Sequence, residues 1–165
     1  MSDAEKRTIS HAPIALIEAH DGHIGRMTIA LGQSAELNFD ELMVYHRVAI
    51  DRYDIWICRA TLTLADASSV SVNGLLLPHV DLDDAVVVNG DVALEWVALL
   101  EPQQATRTTI AFLNGSSIEI DCSSAALSLL EPIRHLEEWL GPLSPGRASV
   151  LDLENGEATR QGRTD

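Results

Sequence analysis

The chain has 165 residues and a formal net charge of −14 at pH 7, with 11 Lys and Arg residues against 25 Asp and Glu residues. That length suits a single domain, and a hydrophobic fraction of 46% is sufficient for a core that needs neither disulfides nor metals. A strongly acidic surface repels nucleic-acid phosphates and anionic membrane surfaces, and no apolar run approaches the ~20 residues of a membrane-spanning helix, so we expect neither nucleic acid nor a membrane as partner.

Four turn dipeptides divide the chain into strand-like runs. They are Asp21-Gly22, Asn73-Gly74, Asn89-Gly90 and Asn114-Gly115. Each tolerates the positive φ angles of a type I′ turn, which makes each a hairpin signal. The flanking runs alternate apolar and polar residues, as Ile118–Cys122 does, and this period of two predicts strands with one buried face.

Two longer runs, Met43–Ile50 and Ile55–Leu64, lie between the first and second of these turns. The second run is apolar on both faces near Ile55–Cys58, which predicts a central strand whose two faces are both covered by other parts of the protein. Ala93–Leu100 has a helix-favouring composition but follows a hairpin signal and a β-branched run, so we predict a strand there. Ala125–Leu130 is compatible with a strand or with the start of a helix.

One short helix is predicted over about residues 132–140. Pro132 suits a first helical position, and Gly141 suits the residue just past the last turn. The apolar stripe of this helix consists of Ile133, Leu136 and Leu140. The whole pattern predicts a mainly β protein, an antiparallel and hairpin-rich sandwich or barrel of about 8–10 strands with this one C-terminal helix.

The domain prediction has three parts. We expect a flexible N-terminal segment over residues 1–12, a single β-rich domain over 13–143 and a flexible polar tail over 144–165. The segment before Pro13 has no net charge and the tail has a net charge of −1, so the acidity belongs to the domain. The N-terminal segment lacks the apolar stretch of a secretory signal, and we therefore expect a cytoplasmic protein.

Acidic residues supply the first candidate site. The proposed partner-binding residues are Asp81, Asp83, Asp84, Asp91, Glu119, Asp121 and, as an aromatic contact, Trp139. The spacing from Asp81 to Asp84 resembles part of an EF-hand calcium loop, but Val86 and Val92 stand where that loop needs glycine and glutamate. For the Asp81–Asp84 cluster three interpretations stay open: a solvated loop that enters a strand, a metal-binding loop, and a docking surface for a basic protein, which is the partner-binding hypothesis followed here.

Two histidines supply a candidate metal site. His20 and His23 bracket Asp21-Gly22, so a hairpin there would place the two imidazoles opposite each other. No third ligand is evident nearby in sequence, and a polar pair across an exposed turn is the alternative interpretation. The two cysteines, Cys58 and Cys122, are predicted to be buried, reduced thiols.

No catalytic or cofactor motif is present. The sequence lacks a G-x-S-x-G nucleophile elbow, a phosphate-binding Gly-x-x-x-x-Gly-Lys loop and a Gly-x-Gly-x-x-Gly fingerprint, so we assign no catalytic residue and expect no cofactor. The leading hypothesis is a non-catalytic protein-binding module with an acidic surface, one form of which is an immunity-type inhibitor of a basic toxin or nuclease. The alternatives are a small-ligand-binding β-barrel and a metal-assisted enzyme that uses His20, His23 and Asp81–Asp84.

Overall fold

Ten antiparallel strands make up most of the chain. The computed structural model describes residues 13–76, 81–141 and 143, and the two segments predicted to be flexible, 1–12 and 144–165, lie outside that range. The strands are β1 (Ile14–Ile29), β2 (Ser34–Ala49), β3 (Arg52–Ala65), β4 (Ser69–Asn73), β5 (Leu82–Asn89), β6 (Val92–Ala93), β7 (Gln103–Gln104), β8 (Arg107–Phe112), β9 (Ser117–Asp121) and β10 (Ser124–Leu140). A 3₁₀ helix, Ala98–Leu100, precedes β7. In this part of the chain no helix has the length and apolar character needed to cross a membrane.

The strands form two open sheets. Sheet A has the order β1-β2-β3-β10-β7, and sheet B has the order β4-β9-β8-β5-β6. Their inner faces share one core, to which β3 contributes Leu62 and Leu64 and sheet B contributes Val87, Ile110 and Ile120. The prediction of a mainly β, antiparallel protein is confirmed. Neither sheet closes on itself, so the barrel alternative is wrong.

Sheet A carries a second buried cluster on its other face. The odd-numbered side chains of Tyr53, Ile55 and Ile57 point away from the shared core, because successive residues of a strand alternate between faces. Met43 and Tyr45 of β2 complete this cluster. The strand predicted to be central and covered twice near Ile55–Cys58 is therefore β3, the middle strand of sheet A.

Two of the four hairpin predictions are confirmed. Asn89-Gly90 begins the tight connection from β5 to β6, in which Asn89 pairs with Val92 and Gly90 has φ = 62°. Asn114-Gly115 lies in the loop from β8 to β9, where Gly115 has φ = 83° and donates its N–H to the Phe112 carbonyl at 2.9 Å. These glycines provide the positive φ that L-residues rarely adopt.

The other two hairpin predictions are wrong. Strand β1 continues through Asp21-Gly22, and the connection to β2 comes later, at Gly32. Asn73-Gly74 ends β4, but β4 pairs with the distant β9 and not with the strand that follows it. The dipeptides do mark interruptions of regular pairing. They do not specify which strand lies alongside, because partner choice depends on the buried faces of the whole sheet.

The predicted helix over residues 132–140 is wrong, because this segment is the second half of β10. It pairs with β3 from Pro132 opposite Cys58 to Leu140 opposite Arg52. Local helix signals contribute only tenths of a kcal/mol each, whereas the strand completes the hydrogen bonding of a central, apolar neighbour. Register shifts between Leu129 and Glu137 break the period of two, which explains the helix-like spacing of the apolar residues.

The predicted strand over Ala93–Leu100 is also wrong beyond its first residue. Strand β6 ends at Ala93, and the chain then turns into the 3₁₀ helix. This turn lets Trp96 and Leu99, three residues apart, both enter the core. The Trp96 Nε1–H donates to the Ala85 carbonyl at 3.1 Å, and its ring meets Phe39 edge-on with centroids 5.6 Å apart.

Candidate functional site

The two sheets meet at a junction between β1 and the start of β5. The Nδ1 atom of His20 on β1 donates to the backbone carbonyl of Asp83 on β5. Three residues further along β1, His23 Nδ1 lies 3.2 Å from the Asp40 carboxylate of β2. The two histidines therefore link β1 to β5 of sheet B and to β2 of sheet A. The exposed residues Asp40, Glu41, Asp81, Asp83 and Asp84, which lie on the two segments that these histidines link through β1, are called the acidic junction below.

Irregular pairing between β1 and β2 shapes this junction. The register shifts between Glu18 and His23 in β1, and β2 has a further shift between Phe39 and Leu42. In a regular strand Asp40 and Glu41 would point to opposite faces, but here both are exposed. The bulge thus places two consecutive carboxylates at the surface beside β1.

The backbone of the Asp81–Asp84 segment is held in place. The Asp81 carbonyl accepts the Leu113 N–H at 3.0 Å, which ties it to the loop between β8 and β9. The Asp83 carbonyl accepts from His20, and Asp84 Oδ1 accepts the Ala85 N–H at 2.8 Å. All three carboxylates are on exposed residues. The segment is therefore a solvent-exposed entry to β5 whose backbone is hydrogen-bonded to β1 and to the loop between β8 and β9.

The acidic junction differs from the other carboxylate clusters in lacking arginine. Of the described residues, no arginine forms an ion pair with any of its five carboxylates, and the ion pair found there joins Asp40 to His23. Elsewhere Arg52 bridges Glu138 at 2.8 Å. The five carboxylates of the acidic junction therefore have no arginine counterion among the described residues.

Glu119 and Asp121 lie on the outer face of sheet B and share one arginine. Arg107 Nε lies 2.8 Å from Asp121 Oδ1, and Arg107 Nη1 lies 3.8 Å from Glu119 Oε2. The Ser69 hydroxyl also donates to Asp121 at 2.6 Å. Hydrogen bonds from Arg107 and Ser69 hold the pKa of the Asp121 carboxyl below its ordinary value. These two acids are thus partly neutralised within the protein.

Asp121→Asn should reduce the loss of melting temperature that occurs as the pH is lowered. The folded-state pKa of Asp121 is lower than its unfolded value of about 3.9, so its stabilisation is complete above that pH and is lost as the pH falls through the folded-state pKa. The melting temperature of the wild type should fall more steeply below about pH 4 than that of the variant. Thermal melts across the acid range test this, and parallel curves would contradict it.

The remaining predicted partner-binding residues lie away from the junction. Asp91 occupies the turn at the far end of β5, next to Gly90. Trp139 is on β10, where it pairs with Tyr53 and packs against the second buried cluster. The structure therefore brings together Asp81, Asp83 and Asp84 but not Asp91, Glu119, Asp121 or Trp139.

In the part of the chain that the structure describes, neither the histidines nor the cysteines form a metal-binding or reactive-thiol centre. His20 and His23 do not face each other across a hairpin, since both belong to β1. The described residues contain no group of three or more His, Cys, Asp or Glu side chains that is arranged to hold a metal ion. Burial raises the pKa of the Cys58 thiol to about 11, which keeps it protonated and unreactive at neutral pH. Cys122 is half-buried.

Sequence reasoning missed Asp40 and Glu41. They interrupt an alternating run between Phe39 and Leu42, and two adjacent charges flanked by apolar residues are a signal for a bulge. The sequence contains no signal that β1 would bring this bulge close to β5, because that contact depends on how the two sheets pack.

The fold and the junction define an antiparallel two-sheet β protein with an acidic surface where the sheets meet. No protein-family model matches the sequence, and neither the curated proteins nor the solved structures give a match.

Proposed function

We propose that this protein is a non-catalytic protein-binding module that receives a basic protein at the acidic junction. The observation that carries the proposal is a surface of five carboxylates with which, in the described part of the chain, no arginine is paired. Carboxylates that no arginine neutralises stay available to attract an external cation.

Rigid placement supports this function. Hydrogen bonds to His20 and Leu113 hold the backbone of the Asp81–Asp84 segment. A charged surface that is already ordered loses little conformational entropy when a partner docks, and complementary charge accelerates the encounter. An immunity-type inhibitor is one form of such a module: the acidic junction would cover the cationic substrate site of a basic toxin or nuclease.

The test measures where a cationic probe binds. A fluorescent oligoarginine peptide is titrated against the full chain and against a variant that carries Asp81→Asn, Asp83→Asn and Asp84→Asn. The Asp84→Asn change retains a side-chain oxygen that can accept the Ala85 N–H. We expect the variant to bind about tenfold more weakly, because it loses three exposed charge contacts. Added salt should reduce the difference between the two proteins.

A matched control removes the same amount of charge from other exposed positions. The variant with Glu36→Gln, Asp91→Asn and Glu101→Gln has the same net charge but an intact acidic junction. Its affinity for the peptide should stay within about twofold of wild type. Equal weakening in both variants would show that only the total charge matters, and would contradict a docking site at the junction.

A further inference from the structure

One end of sheet B carries exposed apolar side chains. Strand β4 and the segment that follows it contribute Val72, Leu75 and Leu76, which are 51%, 67% and 37% exposed. The loop between β8 and β9 contributes Leu113, which is 57% exposed. These four residues are called the apolar end of sheet B below. Single exposed leucines are ordinary, whereas several at one end of a sheet are typical of an interaction surface.

Hydrogen bonds hold the two segments of this apolar end together. Asn114 Nδ2 donates to the Leu75 carbonyl at 3.0 Å, and Asn114 Oδ1 accepts the Ser116 N–H at 3.0 Å. A Cβ atom at Gly74 would lie 3.1 Å from Ser116, so the backbone after β4 passes close against the loop between β8 and β9. The protein itself therefore fixes the backbone of this surface, and docking there costs little conformational entropy.

Leu113 lies directly beside Asp81 of the acidic junction. Between β5 and β8, Leu82 pairs with Phe112, and both point into the core. The Leu113 N–H donates to the Asp81 carbonyl at 3.0 Å, which extends this pairing by one residue. Because successive residues of a strand alternate between faces, Asp81 and Leu113 share the outer face of sheet B. Side chains paired in this way have Cβ atoms about 4.5–5.5 Å apart.

Asp84 lies on the same outer face because of the bulge at the start of β5. The register shift there places Asp84 opposite Ala111, which comes two residues before Leu113 on β8. On the other side of β8, Ala111 pairs with Ser117 of β9. Leu113 is therefore bordered by carboxylates on the β5 side and by small side chains along β8 and β9. The small side chains leave space above the sheet for a side chain of a partner.

We propose that the basic partner of the acidic junction carries an apolar side chain between its cations, and that this side chain packs against Leu113. The inference rests on the proposed function and specifies the chemistry of the partner at the same site. Asp81 and Asp84, which no arginine of the described chain neutralises, attract the cations. The exposed leucine beside them is the apolar contact, which a partner segment made only of cations would leave in water.

The test compares two fluorescent peptides that are titrated against the full chain. Both contain the same number of arginines, and the residues between the arginines are leucines in one peptide and serines in the other. The wild type should bind the leucine peptide at least about fivefold more tightly, because burial of apolar surface adds to the same charge contacts. Leu113→Ala should reduce this preference to within about twofold and leave the affinity for the serine peptide unchanged. Its melting temperature should match that of the wild type, since Leu113 is exposed.

Leu31→Ala is the matched control. Leu31 is similarly exposed, but it lies in the connection between β1 and β2, where the neighbouring Gly32 donates its N–H to the Ala67 carbonyl. This variant should keep the full preference for the leucine peptide. A wild type that binds both peptides equally would overturn the inference, as would a preference that Leu113→Ala leaves unchanged or that Leu31→Ala reduces to the same extent.

The variant that carries Asp81→Asn, Asp83→Asn and Asp84→Asn separates a failure of this inference from a failure of the proposed function. It should bind the serine peptide about tenfold more weakly than the wild type does. An unchanged affinity would overturn the docking site and, with it, this inference. A weakened affinity together with an unaltered leucine preference in Leu113→Ala would overturn the apolar contact alone.

Discussion

Phe39→Ala should lower the free energy of unfolding by about 3–5 kcal/mol. Phe39 is 1% exposed in the core shared by the two sheets, and its ring meets Trp96 edge-on. The substitution removes the buried ring and leaves a cavity that the strands on either side of β2 cannot collapse to fill, because cross-strand hydrogen bonds fix their spacing. Chemical denaturation followed by far-ultraviolet circular dichroism measures the loss.

Leu113→Ala provides the matched control. Leu113 is in the loop between β8 and β9 and is 57% exposed, so its truncation should change the free energy of unfolding by no more than about 0.5 kcal/mol. A Phe39→Ala loss as small as that of Leu113→Ala would show that the two sheets do not share one packed core. The melting temperature should follow the same order.

Gly22→Ala should lower the free energy of unfolding by about 1–3 kcal/mol, with the loss close to the upper end of that range. A Cβ atom at Gly22 would lie 2.7 Å from the Ala19 carbonyl oxygen and 2.9 Å from the Glu41 carbonyl oxygen. Both obstacles are backbone atoms of paired strands, so neither can rotate away. Relief requires the bulge between β1 and β2 to shift. Denaturant titration gives the magnitude of the loss.

Gly25→Ala tests the same type of change where the obstacle can move. A Cβ atom at Gly25 would collide with the carboxylate of Asp40, an exposed side chain that can adopt another rotamer. The loss of stability should therefore be clearly smaller than for Gly22→Ala, although the contact between His23 and Asp40 would be disturbed. Equal losses would indicate that the bulge is not tightly packed at Gly22.

The sequence predicted strands well where burial alternates along the chain. In β9, Ile118 and Ile120 are buried and Glu119 faces outward, as their alternation indicates. In β3, apolar residues on both faces near Ile55–Cys58 correctly predicted a central strand. These features follow from the period of two in one strand and need no knowledge of its neighbours.

The sequence predicted poorly where a distant strand decides the outcome. Pro132 and the stripe that includes Leu136 have helical spacing, but pairing with β3 imposes a strand. At Asp21-Gly22 the turn signal marks a bulge within β1 and not a reversal of the chain. The sequence indicated only part of the acidic junction: Asp81–Asp84 stood out, whereas Asp40 is linked to them only through the contacts that His20 and His23 make from β1.

The order of strands in sheet A affects how the protein is made. All five strands of sheet B lie between β3 and β10 in sequence. A ribosome therefore completes them before it makes β10, which is the second neighbour of β3 after β2. During that interval β3 has apolar residues on both faces and an unpaired side. Such intermediates aggregate, and pairing across long sequence separations is slow. Chaperone binding during synthesis should therefore be greatest before residue 124 emerges and should decline once β10 pairs.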